Sequence, residues 1–104
     1  MSAEPEQPMS YRRALLAFGN GDLGRGQQNL FMLARRLEEA RRKHSVFAGD
    51  RFEAVRVISR EFHELCYAVT HESHDRRLDE ALDVATTAMR FVNGEHMTKR
   101  KKRA

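Results

Sequence analysis

The chain has 104 residues, of which 40% are apolar and 33% charged, with one cysteine and no tryptophan. That length supplies one modest core, the charge content favours salt-bridged helices over a sheet, and a lone Cys66 excludes an internal disulfide framework or a four-cysteine zinc site. The net charge of +4 collects at Lys99, Arg100, Lys101, Lys102 and Arg103, so the remaining body is nearly neutral and makes a poor nucleic-acid surface.

The segment Met1–Pro8 is acidic and polar, unlike a secretory signal, and no apolar run is long enough to span a bilayer. A cytoplasmic protein is the expectation. Ser10 can cap a short helix over 10–18 that Gly19 stops, and the stretch GNGDLGRG at 19–26 reads as a flexible joint. Residues 1–26 therefore read as a flexible leader carrying one short helix.

From Gln27 the apolar period becomes helical: Leu30, Leu33, Ala34, Leu37 and Ala40 recur at three and four, with Arg35, Arg36, Glu38, Glu39, Arg41 and Arg42 on the other face. Lys43 and His44 suit the negative end of the helix dipole. A second helix starts after Asp50, which forms a variant capping box with Glu53. Phe52, Val55, Ile58, Phe62, Leu65 and Val69 give it a continuous apolar stripe. A third helix begins near Ser73 or Asp75 and runs to Asn93, with Gly94 as its terminator and Leu78, Leu82, Ala85, Met89 and Val92 as its stripe. The short connection near His71–Asp75 makes the second and third helices antiparallel neighbours. The expected fold is all-α, an antiparallel bundle of three main helices over 27–94, followed by a basic tail at 95–104.

Two acidic pairs stand out, Glu61 with Glu64 and Glu80 with Asp83. Residues three apart share a helix face, and the antiparallel hairpin brings both pairs to a similar depth. Val57, Val84 and Phe91 flank them, so this second face is expected to lie uncovered by one chain's three helices and to be completed by a homo-oligomer. Four converging carboxylates repel unless a cation is present. An all-oxygen site suits Mg²⁺, with Mn²⁺ in its place, and such ions bind substrate phosphates. Arg90, two turns beyond Asp83, is a candidate phosphate ligand.

The arrangement E-x-x-E, an interval of 15 residues, then E-x-x-D resembles the all-α nucleoside triphosphate pyrophosphohydrolases of the MazG-like superfamily. The segments KHSVF at 43–47, AVRVISREFHEL at 54–65 and LDEALDVATTAMR at 78–90 carry the same resemblance. It implies a Mg²⁺-dependent cleavage of a nucleoside triphosphate to monophosphate and pyrophosphate. It also implies Glu61, Glu64, Glu80 and Asp83 as metal ligands, one of them helping to activate water, and a dimer or tetramer. Arg60 stands where many members have a second glutamate.

Other readings of the residues remain. Acidic pairs are common on solvated helix faces, and a non-catalytic helical adaptor or regulator of the same fold is the alternative function. His71 and His74 read as surface residues of a polar turn, because no third metal ligand lies nearby. Cys66, between Leu65 and Tyr67, reads as a buried small hydrophobe. The tail KRKKR suits nucleic acid or an anionic surface, with a solubilising end as its simpler role.

Overall fold

The computed structural model describes residues 10–18 and 23–97. The leader at 1–9, part of the glycine-rich joint at 19–22 and the tail at 98–104 lie outside the described residues. Among the described residues there are four α-helices and one 3₁₀ turn, with no strand: α1 (Tyr11–Phe18), α2 (Leu23–Lys43), α3 (Arg51–His71), α4 (His74–Val92) and the turn Glu95–Met97. None of these helices is long and apolar enough to cross a membrane. The chain divides into two compact units between Met32 and Leu33.

In the first unit, Ser10 Oγ accepts a hydrogen bond from the backbone N–H of Arg13 at 3.1 Å and so caps α1. Helix α2 begins at Leu23, earlier than the glycines suggest, and Gly24 and Gly26 are helical. Glycine costs a helix interior up to about 1 kcal/mol, but these two lie in the first turn, where few backbone bonds depend on them.

The second unit is built on a hairpin of α3 and α4. Asp50 caps α3 by accepting from the Glu53 backbone N–H at 2.8 Å, and the Glu53 carboxylate reaches back to the N–H of Gly49, also at 2.8 Å. A Cβ on residue 49 would meet that carboxylate at 3.0 Å, so a larger residue there would have to shift the Glu53 side chain. Glu72 ends α3, and Ser73 caps α4 by accepting from the N–H of Arg76 at 3.3 Å. So short a link forces the two helices antiparallel. Gly94 takes φ +74°, the left-handed conformation that ends a helix. The chain then turns back and stacks the His96 ring on Phe91 at 4.5 Å.

The packing departs in part from the expected use of the two faces: Ile58, Leu65, Leu82, Ala85 and Met89 of the expected stripes are half-buried, but the rest are not. Phe52, Val55, Phe62 and Val69 are each at least half exposed, as are Leu78 and Val92 on α4. The α3–α4 seam instead uses small residues: Ala54 and Ala68 are completely buried. Val57 and Phe91, expected to be uncovered, pack against the buried Phe47, Ala48 and Ala54, and Val84 is half-buried. Alanine lets two helix backbones approach closely, whereas a row of Phe and Val holds them apart. Cys66, expected inside, is exposed.

The C-terminal part of α2 joins this hairpin through arginines. Arg36 bridges Asp79 at 2.8 Å and Asp83 at 3.0 Å. Arg41 pairs with Glu95. Arg90, only 3% exposed, donates from Nε to Glu95 at 2.6 Å and from Nη2 to the carbonyl oxygen of His44 at 2.9 Å. Its guanidinium lies over the Phe47 ring at 5.2 Å. Residues 95–97 thus belong to the folded body, and Arg90 is spent on holding α2, the connector and the turn together rather than on a phosphate. Breaking a buried charge pair by removing one partner costs about 3 kcal/mol or more. Arg90→Ala should therefore lower the unfolding free energy by about that amount in a urea melt. Arg90→Lys should recover only part of it, because one ammonium cannot fork to both partners. An unchanged urea midpoint for Arg90→Ala would contradict this role.

Candidate functional site

Positions 54, 61 and 68 of α3 are seven residues apart, close to two helical turns, so they fall on one line. The outer two are the buried alanines of the seam, and the middle one is Glu61. Glu64, one turn further along α3, and Glu80 on the facing part of α4 complete a group. One carboxylate oxygen from each of Glu61, Glu64 and Glu80 lies within 4.8 Å of the others. Asp83, the fourth expected ligand, is not part of this group: its Oδ1 is bound by Arg36 Nη1 at 3.0 Å. Arg90, expected at the same site, is held by Glu95 and His44.

The three carboxylates have different surroundings. Glu64 is exposed and Glu61 half-buried, while Glu80 is 7% exposed. Arg76, one turn before Glu80, donates from Nη2 to its Oε2 at 2.6 Å. The other oxygen, Glu80 Oε1, is buried with no hydrogen-bond partner. A buried carboxylate oxygen without a partner is costly, and here it belongs to a group of three acids. Oxygen donors of this kind suit a hard divalent cation such as Mg²⁺.

Electrostatics follow from this crowding. Burial, then the charges of Glu64 and Asp83, push the Glu61 carboxyl up to about 6. Burial and the nearby Asp83 raise Glu80 as well, against the opposing charge of Arg76. Asp83 is raised by burial, with Arg36 pulling the other way. So Asp83, although turned to Arg36, still acts on the group through its charge.

A cleft of about 450 Å³ opens beside the acids, between the end of α2, the following connector, α3 and α4; Glu61 and Asp83 are in its wall, with Arg36, Lys43, His44 and Arg60 around them. A second, larger depression runs along the outer surface of α3 and includes Glu64. It is lined by residues of that one helix, so it is a helix face rather than an enclosed site.

The sequence points to Glu61, Glu64 and Glu80 through their spacing. It gives a weaker sign of Arg76, four residues before Glu80 and so on the same helix face. It gives no sign of Arg36, which meets Asp83 across 47 residues of chain. His71 and His74 are exposed at the α3–α4 turn, with His71 stacked on Tyr67 at 4.2 Å. Comparison with known proteins finds no matching family model, no matching curated protein and no matching solved structure.

The raised Glu61 predicts a pH dependence in metal-free protein. A carboxyl whose folded pKa exceeds its ordinary value of 4.5 binds its proton more tightly in the folded state. The stability it contributes is full below about 4.5 and is lost as pH rises through about 6. Glu61→Gln removes that loss. Its stability relative to wild type should rise by roughly 1 kcal/mol between pH 4.5 and pH 7.5, after allowing for solvent screening of a half-buried group. Urea unfolding in EDTA at the two pH values measures it. A gap that stays constant with pH would show that Glu61 ionises as freely in the fold as out of it.

Proposed function

We propose that this chain hydrolyses a nucleoside triphosphate between the α and β phosphates, giving monophosphate and pyrophosphate, with a divalent cation on Glu61, Glu64 and Glu80. The observation that carries the reading is the buried, unpartnered Oε1 of Glu80 within a group of three carboxylates that offer oxygens within 4.8 Å of one another. It is an arrangement that a cation would relieve. The resemblance of E-x-x-E and E-x-x-D to the MazG-like enzymes supplies the reaction class.

Mg²⁺, with Mn²⁺ as a substitute, would polarise a phosphoryl oxygen and favour attack by water. The chain's residues would divide the remaining work. Arg76 fixes one oxygen of Glu80 and leaves the other to the ligand site. Glu64, exposed and without an ion pair among the described residues, would accept the proton of the attacking water. Arg36 holds Asp83 in the wall of the cleft. The balance is one triphosphate and one water in, with one monophosphate, one pyrophosphate and one proton out.

The exposed apolar stripe of α3 supports a homo-oligomer, on a face opposite to the one the sequence suggests. The same stripe favours the second reading, a non-catalytic helical adaptor whose partner covers α3. In either case the cytoplasm is the proposed compartment.

Two measurements test these readings. Pyrophosphate release from a panel of ribo- and deoxynucleoside triphosphates should require Mg²⁺ or Mn²⁺, and Glu61→Gln, Glu64→Gln and Glu80→Gln should each lower it about a hundredfold or more. Even residues behind the metal ligands typically cost ten- to a hundredfold. No turnover on any triphosphate would leave the adaptor reading. Light scattering at micromolar concentration should show more than one copy, and Phe62→Asp with Val69→Asp should return a folded monomer. A wild-type monomer would remove the oligomer from the account.

A further inference from the structure

The cleft beside the acids contains four side chains from α2, α3 and α4 that carry a permanent positive charge: Arg36, Lys43, Arg60 and Arg90. Two are already committed, Arg36 to Asp79 and Asp83 and Arg90 to Glu95. Lys43 and Arg60 are not. Neither makes a hydrogen bond or an ion pair among the described residues, although Arg60 is close enough to Glu61 to pull against the rise in its pKa. They stand on different helices, one at the end of α2 and one on α3, at the same opening.

Two further features favour an anion there. The C-terminal end of a helix presents carbonyl oxygens and a negative partial charge, which would repel a phosphate beside Lys43. Arg90 offsets part of this charge by donating to the carbonyl oxygens of Ala40 at 3.5 Å and His44 at 2.9 Å. Thr86, 4% exposed and in the wall of the same cleft, keeps its hydroxyl buried without a partner. The adjacent Thr87 shows what a helical threonine ordinarily does: its hydroxyl donates to the Asp83 and Val84 carbonyls at 3.1 and 3.0 Å. The cleft volume of about 450 Å³ falls in the range of small-molecule sites.

We propose that Lys43 and Arg60, with Thr86 behind them, form a binding site for a linear oligophosphate chain, which enters the cleft between α2 and α3 and ends at Glu61. The choice of anion rests on the triphosphate of the proposed hydrolysis; the site itself rests on the uncommitted cations and the cleft. Arg60, beside the first acid of the motif, is on this account a substrate-positioning residue. Glu61 and Glu39 offset the two cations, so oligophosphate binding should strengthen when a divalent cation neutralises Glu61.

The test is titration calorimetry of the full chain with inorganic tripolyphosphate, once in EDTA and once with Mg²⁺, with a nucleoside triphosphate in parallel arms. Lys43→Gln and Arg60→Gln should each weaken tripolyphosphate binding about tenfold, the loss of one charge-assisted hydrogen bond. Thr86→Val should weaken it by less, with no fall in melting temperature. Arg42→Gln, an exposed cation outside the cleft, should leave it unchanged. Tripolyphosphate bound about as tightly as the nucleoside triphosphate would support recognition of the phosphate chain rather than the base. Equal binding by wild type, Lys43→Gln and Arg60→Gln, or an equal loss in Arg42→Gln, would overturn the site. Steady-state kinetics separate the two proposals. Turnover with an unchanged KM in Lys43→Gln and Arg60→Gln overturns this site and leaves the hydrolysis standing. Binding of tripolyphosphate that depends on Lys43 and Arg60, without turnover, supports this site and overturns the hydrolysis.

Discussion

Ala54 and Ala68 let α3 and α4 approach closely, and Glu61 occupies the same line midway between them. A carboxylate at that position is carried into the helix seam by the packing of its neighbours, and Glu80 arrives from the other side. Two unit charges within 4.8 Å of each other repel by about 3 kcal/mol or more at an effective dielectric near 20. That exceeds what an exposed ion pair usually returns, at most about 1 kcal/mol. Arg76 compensates one oxygen of Glu80 and Arg36 compensates Asp83, but neither pairs with Glu61. The seam therefore stores an unfavourable interaction that small apolar residues at 61 and 80 would remove. The proposed cation would offset this repulsion.

Arginine connects this seam to the rest of the second unit. Arg36 links α2 to α4 at the acidic end, while Arg41 and Arg90 converge on Glu95 at the other. A long planar side chain with several donors bridges a gap that Leu or Val would close by bringing backbones together. Arg36 and Arg90 both line the cleft. The buried apolar cluster is small: Phe47, Ala48 and Ala54, with Val57 and Phe91 against them. The same Arg90 that fixes the connector also covers the His44 carbonyl, so one residue serves both stability and the charge of the cleft.

Much of the local structure is legible in the sequence because it depends on neighbours within a few residues. The Asp50–Glu53 cap, the stop at Gly94 and the antiparallel α3–α4 hairpin all follow from local chemistry. The choice of buried face does not. Helix α3 has two apolar lines, a bulky one through Phe52, Val55, Ile58, Phe62, Leu65 and Val69 and a small one through Ala54, Val57 and Ala68, and hydrophobicity favours the bulky line. Only the small line reaches full burial, at Ala54 and Ala68, and which line does so depends on what packs against it. The same reasoning explains the site. The spacing of Glu61, Glu64 and Glu80 places them together, but the captures of Asp83 by Arg36 and of Glu95 by Arg41 are pairings between separate parts of the chain. No periodicity encodes them.

The central claim is that the seam acids are an unsatisfied cation site. The most direct measurement is the melting temperature of the metal-free full chain as Mg²⁺ is added at constant ionic strength, beside Glu80→Gln. A ligand bound only by the folded state stabilises it by mass action, by about 2.7 kcal/mol at a hundred times its dissociation constant. The account predicts a saturable rise in the wild type, a much smaller rise in Glu80→Gln, and a metal-free Glu80→Gln that melts at or above the metal-free wild type. A wild-type melting temperature unmoved by millimolar Mg²⁺ or Mn²⁺, with Glu80→Gln less stable than wild type in their absence, would contradict it.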